Sequence, residues 1–361
     1  NNGMLLRKSA IILIIQAIFW LLFGAPVLAV ETNMNGFDLT MDLQNNYMSF
    51  DSFFSAAAVD HEINTNQVIP ATIYAKESLN CQIALSESDS GNMGCFLRDS
   101  GWLWSSGETP RFIQDSSSSQ PLINGRFYDL GIRYQKYSIA GFYAEQEFRT
   151  SGLSIGLEED LFICYNYKSM EFIGQGLLTK GTEGKQIDIY GQYRRTLPET
   201  GDLFGWGGSL SWKVKYVFGS DSANELNLQI RNLPGIIFFP DLVYENGRID
   251  SSQNTIGPVL LEGFVTDNPS LINMPVEIKS NIFFKLFYGK TNLEFSCIGE
   301  VRDISVGYQY PVSDQFIFES KYNLVMNNLS LGCLWSRGKL NITLNPQNNW
   351  VMSGLVAGIL F

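Results

Sequence analysis

From about Arg126 to the end of the chain, apolar and polar residues alternate in stretch after stretch, the pattern of a strand whose two faces meet different surroundings. Tyr128, Leu130, Ile132 and Tyr134 alternate with Asp129, Gly131, Arg133 and Gln135, and Leu210, Trp212, Val214 and Tyr216 with Ser209, Ser211, Lys213 and Lys215. Phe316, Phe318, Tyr322 and Leu324 oppose Gln315, Glu319, Lys321 and Asn323, and Leu340, Ile342 and Leu344 oppose Asn341, Thr343 and Asn345. A chain patterned in this way is committed to sheet rather than helix.

A soluble sandwich also alternates, so strand length and composition have to separate lipid from core on the apolar side. Soluble strands run to about 5–6 residues, whereas a tilted strand crossing a bilayer needs about 9–11. The stretches 315–327, 207–219 and 350–361 reach that length. Asp, Glu, Lys and Arg make up only 17% of the chain while 45% is hydrophobic and 13% aromatic, a poor inventory for a surface wholly in water, where charged residues average about 25%. The polar phase carries Lys, Glu, Arg, Gln and Asn, which suits a watery lumen, and the apolar phase carries the Trp and Tyr that favour membrane–water interfaces.

The two ends of the sequence add specific signals. Arg7 and Lys8 lead into an apolar stretch from Ala10 to Phe23, then Gly24-Ala25-Pro26 and Val27-Leu28-Ala29. This reads as a secretory signal peptide over 1–29, cleaved after Ala29. At the other end Leu355, Ala357, Ile359 and Phe361 share one face of a closing strand. A last strand with apolar residues at every second position and a terminal Phe resembles the assembly signal of bacterial outer-membrane β-barrel proteins, porin-like ones among them. The resemblance is to the class as a whole and rests on the two ends and the pattern between. It implies insertion by the barrel-assembly machinery, with Phe361 at the periplasmic rim.

In hydrocarbon every backbone N–H and C=O must be paired within the protein, which a sheet achieves only by closing on itself. The expectation is therefore an all-β chain, with a single transmembrane antiparallel up-and-down β-barrel over 30–361. About fifteen candidate strands follow Arg126, and weaker ones lie at 37–44 and 68–76. Barrels usually have an even count, so about 14 strands are predicted, within 12–16. Residues 78–125, rich in Ser and Gly, and 235–258, with Pro240, Asn246-Gly247 and Ser251-Ser252, read as long surface loops.

Charge and chemistry limit the function classes. With 25 basic and 36 acidic residues the chain carries −11 and no basic cluster, which argues against nucleic acid as a partner. Loss of 1–29 removes two bases and no acid, leaving −13, a weak lean towards cations. His61 is the lone histidine, so no multi-histidine metal site can form, and it sits without a nucleophile motif beside it. Glu158-Glu159-Asp160 reads as a solvated turn rather than a calcium site, and Gly205-Trp206-Gly207-Gly208 as a turn beside an interfacial Trp. Neither enzyme activity nor a cofactor is expected. Of five cysteines, Cys81 and Cys95 are close enough in sequence to pair after export or to remain two thiols on adjacent strands. Cys297 and Cys333 fall in the lipid-facing phase, and Cys164 falls in the other.

Passage or attachment remains. Arg133, Asp188, Arg194, Lys213, Lys215, Glu262, Lys285, Glu319 and Lys321 are the candidate lumen charges. They would make an aqueous, mixed-charge pore for small hydrophilic solutes or ions in the bacterial outer membrane, its other partners being lipid and the assembly machinery. Self-association into a homo-oligomer is left open. The alternatives are a structural or adhesive barrel with a filled lumen and binding loops, and an exported soluble β-protein.

Overall fold

The computed structural model describes residues 37–45, 74–88, 91–106, 108–117, 125–180, 185–196, 204–218, 224–240, 242–255, 264–266, 270–271, 275–298, 301–313, 315–325, 327–346 and 351–360. In chain order the strands begin β1 (Phe37–Asn45), β2 (Tyr74–Ser88) and β3 (Gly91–Ser105). Helix α1 (Thr109–Ser117) follows, then β4 (Arg126–Thr150), β5 (Leu153–Lys180), β6 (Lys185–Thr196) and β7 (Gly205–Val217). Next come β8 (Glu225–Arg231), β9 (Gly235–Phe238), β10 (Val243–Thr255), β11 (Phe264–Thr266), β12 (Ser270–Leu271) and β13 (Val276–Glu277). The last seven are β14 (Asn281–Tyr288), β15 (Thr291–Ile298), β16 (Val301–Ser313), β17 (Phe316–Asn323), β18 (Asn328–Trp335), β19 (Gly338–Asn345) and β20 (Val351–Leu360).

Fourteen of these close an antiparallel ring. β1 to β5 pair in sequence, β5 then pairs with β7, β7 with β8 and β8 with β14, and the order runs on from β14 to β20, which pairs with β1. β9 and β13 continue the walls of β8 and β14. Between β8 and β9 the chain bulges over Asn232, Leu233 and Pro234, yet the ladder persists: Leu233 N–H donates to Leu210 O at 2.7 Å and Leu210 N–H to Pro234 O at 2.9 Å. One rim carries the short connections, between β2 and β3, β4 and β5, β14 and β15, β16 and β17, and β18 and β19. The start of β1 and the end of β20 lie on the same rim, where Asp38 pairs with Leu360.

Beyond the opposite rim the sheet continues as an extension. β4 has 25 residues, roughly 80 Å of extended chain and far more than a bilayer requires. The upper halves of β4 and β5 stay paired, β5 carries β6 on its other edge, and β6 carries β10, outside the closed ring. Phe112 of α1 lies against Tyr128, ring centroids 5.4 Å apart, on one face of this extension. There Leu130, Leu178, Ile187, Ile189, Tyr193 and Ile249 complete a small core. A second core, with Phe96, Tyr137, Phe162, Cys164, Tyr167, Phe239 and Tyr244, lies on the other face, the one continuous with the lumen wall.

The outer surface of the ring is apolar. Leu161 is 72% exposed and its cross-strand partner Phe142 67% exposed, an arrangement that water would penalise and hydrocarbon would not. Phe148, Tyr216, Tyr288, Tyr310, Phe316 and Trp335 are exposed or outward-facing near the short-turn rim, with Phe316 stacked on Trp335 at 6.4 Å. Leu355, Ala357 and Ile359 of β20 lie on the face away from the lumen-lining Val356, paired with Leu43, Met41 and Leu39 of β1, with Ala357 and Ile359 buried; Phe361 lies outside the described residues, as do 1–36.

Several sequence expectations need correction. The stretch 78–125 is not a long loop: most of it is the hairpin of β2 and β3 followed by α1. Serine here does not mark a loop: Ser78 and Ser100 line the cavity beside Asn80 and Gln82, the polar phase of two wall strands. The stretch 235–258 holds β9 and β10; its Asn246-Gly247 pair lies inside β10, where Gly247 leaves room for the ring of Tyr193. Gly205-Trp206-Gly207-Gly208 opens β7 rather than making a turn, and Trp206 stacks outward on Phe238 at 4.9 Å. Of the two arrangements open to Cys81 and Cys95, the structure has the second, free thiols on adjacent strands paired in register with Leu97 and Ile83.

Candidate functional site

The period of two that turns apolar side chains outward turns a polar face inward from almost every wall strand. Two cavities of about 370 and 420 Å³ lie inside the ring. Both are lined by Asp42, Lys76, Asn281, Phe283, Ile298, Lys339 and Val356, so they adjoin one another and are described together as the chamber. Charged and amide side chains dominate its wall.

The charges form clusters that register dictates. Lys285 on β14 stands opposite Glu294 on β15, and their charged atoms are 2.5 Å apart. Lys321 on β17 reaches Glu294 at 2.9 Å and Glu319 at 3.0 Å, and Lys285 reaches Glu319 at 3.5 Å. The Glu319 carboxylate also accepts from Gln309 at 3.0 Å and Asn292 at 3.3 Å. Two acids and two bases thus neutralise one another around a carboxylate that is only 2% exposed, which offsets the cost of withdrawing it from water.

Across the lumen a second cluster joins β3, β4, β5 and β7. Lys213 bonds Glu145 at 2.8 Å and Glu158 at 3.2 Å; Arg98 approaches Asp160 at 3.4 Å and Glu158 at 4.0 Å. Ser209 donates to Asp160 at 2.8 Å, and the Arg98 guanidinium lies 4.8 Å from the centre of the Phe96 ring. A third pair, Lys76 and Asp42 at 2.5 Å, links β2 to β1. Near the extension Trp102 donates to the Gln135 carbonyl at 3.2 Å, while the Gln135 amide donates to Glu277 O at 3.1 Å. These bonds tie β3 and β4 to the segment ahead of β14.

Of the charges picked out by alternation, Lys213, Lys215, Lys285, Glu319 and Lys321 stand on the inner face; Lys215 pairs with Glu225 at 2.6 Å. Arg133, Asp188 and Arg194 stand on the extension instead: Arg133 bonds Glu171 at 2.7 Å, and Arg194 lies 4.2 Å from the Tyr244 ring centre. Glu262 and His61 lie outside the described residues. Sequence reasoning missed Arg98, Glu158, Asp160 and Arg231. Glu158 and Asp160 are buried in β5, not a solvated turn, with Glu159 between them turned outward. The available signal was the alternation of Glu158 and Asp160 with Leu157, Glu159 and Leu161. Cys164 belongs to the lumen-side core, and Cys297 and Cys333 point outward. Among the described residues no group of three or more His, Cys, Asp and Glu side chains is arranged to hold a metal ion.

No family model matches the chain, and no curated protein sequence matches it. Similar solved structures include the TodX deltaS2S3 mutant monoaromatic hydrocarbon channel, with TM-score 0.37 and 11% identity over 94% of this chain and 92% of that one. The toluene transporter TodX of P. putida gives TM-score 0.36 and 11% identity over 92% of this chain and 90% of that one. The siderophore receptor PirA of Pseudomonas aeruginosa gives TM-score 0.20 and 9% identity over 92% and 81%. The likeness concerns the fold alone; the resemblance to outer-membrane barrels as a class rests on the closed 14-strand ring itself.

Proposed function

We propose that this β-barrel spans the bacterial outer membrane and works as a water-filled pore for passive diffusion of small hydrophilic solutes or ions, without making or breaking bonds. The observation that carries the reading is the pair of adjoining polar cavities inside a fourteen-strand ring. Fourteen strands spaced about 4.8 Å apart and tilted by about 40° enclose a circle roughly 28 Å across between backbones. At eight strands side chains fill such a ring, whereas at fourteen they leave a passage unless something occupies it. The outward apolar surface argues against an exported soluble protein, since its exposed rings would aggregate in water. Lipid around the barrel and the assembly machinery at β20 are the partners this reading requires. The sheet extension favours one further reading, surface binding by β4, β5, β6 and β10, which is compatible with passage through the ring beneath.

Single-channel recording in a planar bilayer tests the proposal. Discrete, stable steps with a reproducible reversal potential in a salt gradient are expected. Insertion without conductance would overturn diffusion and leave the extension as the functional part.

A further inference from the structure

The charges of the chamber are paired unevenly with respect to the water they meet. In the second cluster the acids are turned into the wall, Asp160 with a side chain 0% exposed and Glu158 with one 9% exposed. Arg231, from the last position of β8, points into the same chamber and is exposed to it. Among the described residues no carboxylate forms an ion pair with it within 4.0 Å. What holds its guanidinium is neutral: with the Gln229 amide turned to satisfy both groups, the Gln229 carbonyl accepts from Arg231 Nε at 2.9 Å and from Nη2 at 3.2 Å. An arginine oriented by a neutral acceptor keeps its charge and its remaining N–H donors for something else.

The surroundings suit an anion. Lys339 and Lys279 line the same half of the chamber, as do the amides of Asn80 and Asn232, and of the acids lining it Asp42 is already matched by Lys76. Lys279 is shared with Glu277 at 3.9 Å and Arg98 with Asp160 and Glu158, so the excess rests on Arg231 and Lys339, with Asp38 the lining acid that stands against them. The chamber thus presents a pre-oriented, fork-shaped donor within a cationic wall, although the chain as a whole is acidic. A carboxylate or phosphate, with two oxygens placed to accept two parallel N–H bonds, is the natural complement of that geometry.

We propose that Arg231 anchors an oxyanion subsite in the lumen, which takes small carboxylates or inorganic phosphate and retards them on their way through. This rests on the pore reading for its effect on current, but not for binding itself. The test therefore has two readouts on the full-length protein in detergent or bilayer: saturable reduction of potassium chloride current by added benzoate or phosphate, and calorimetric titration with the same two anions.

The wild type is expected to show both. Arg231→Gln should raise the half-blocking concentration and the dissociation constant about tenfold or more, the loss of one charge-assisted pair. Arg231→Lys, which keeps the charge and loses the fork, should fall between, and Asp38→Asn should tighten binding. Arg248→Gln, on the extension, should match the wild type. Benzoate and phosphate acting alike would identify the oxyanion as the recognised group, and benzoate alone would narrow the class to carboxylates. Absence of current with calorimetric binding intact would overturn the pore and keep the subsite. Equal binding by wild type and Arg231→Gln, or no saturable binding of either anion, would overturn the subsite.

Discussion

Glu319 shows what a single lumen residue has to do. Its carboxylate is 2% exposed and serves two lysines and two amides, so its loss leaves Lys285 and Lys321 sharing one remaining acid, Glu294. Glu319→Gln is expected to lower stability by about 1–3 kcal/mol, read as urea unfolding in detergent. Adding Lys321→Gln should return part of that loss, because the uncompensated charge rather than the missing bond carries most of it. At this scale the sequence was half legible. Lys285, Glu319 and Lys321 fell in the polar phase of clean alternations and stand in the lumen. Cys164 stands on the lumen side, as its phase implies, but the phase does not carry on beyond it: Tyr137 pairs with Tyr167 and Ser138 with Asn166, whereas Ile139 pairs with Cys164, so Tyr165 is an extra residue in β5. A bulge reverses the faces on either side of it, and nothing in the local composition announces one.

The extension is the element that composition hid best. β4 runs on past the rim without a break and β5 with a single bulge, so a lumen charge such as Lys213 and an extension charge such as Arg194 look the same in sequence. Only the pairing partners, β3 and β7 below, β6 and β10 above, separate them. Within the extension Arg195 lies 2.6 Å from Glu245, and the Tyr193 hydroxyl donates to the same carboxylate at 3.0 Å. The Arg195 hydrogen bond, helped by that of Tyr193, holds the Glu245 carboxyl below the usual range against the opposing effect of burial. A depressed carboxylate contributes stability that is complete above its unfolded value, about 4.3, and is lost as pH falls through the folded one. The β6–β10 pair is therefore expected to become protease-sensitive on acidification below about pH 4 before the ring opens. Glu245→Gln should be more sensitive at neutral pH and lose that pH dependence; an unchanged acid profile in the variant would remove Glu245 from the explanation.

At the scale of the whole molecule, closure and the two-faced wall were legible because they follow from backbone hydrogen bonding and a period of two, which need no tertiary detail. The strand number was accessible as a range narrowed by parity, and the ring has the expected fourteen, although three of its strands precede the region where alternation is plain. An outward face adapted to hydrocarbon makes a directional prediction. Leu161→Arg, in the middle of the apolar surface, should cost about 2–4 kcal/mol in reversible folding into lipid vesicles. Asp129→Arg, on the extension, should cost little in the same measurement. Closure has one more consequence. The seam between β1 and β20 joins residues more than 300 positions apart in the sequence, so no segment emerging early can bury its own edge. The closing ladder is therefore wholly non-local, and a chain that has yet to form it carries two open strand edges that its copies can pair with, so slow closure and aggregation compete for the same unpaired backbone.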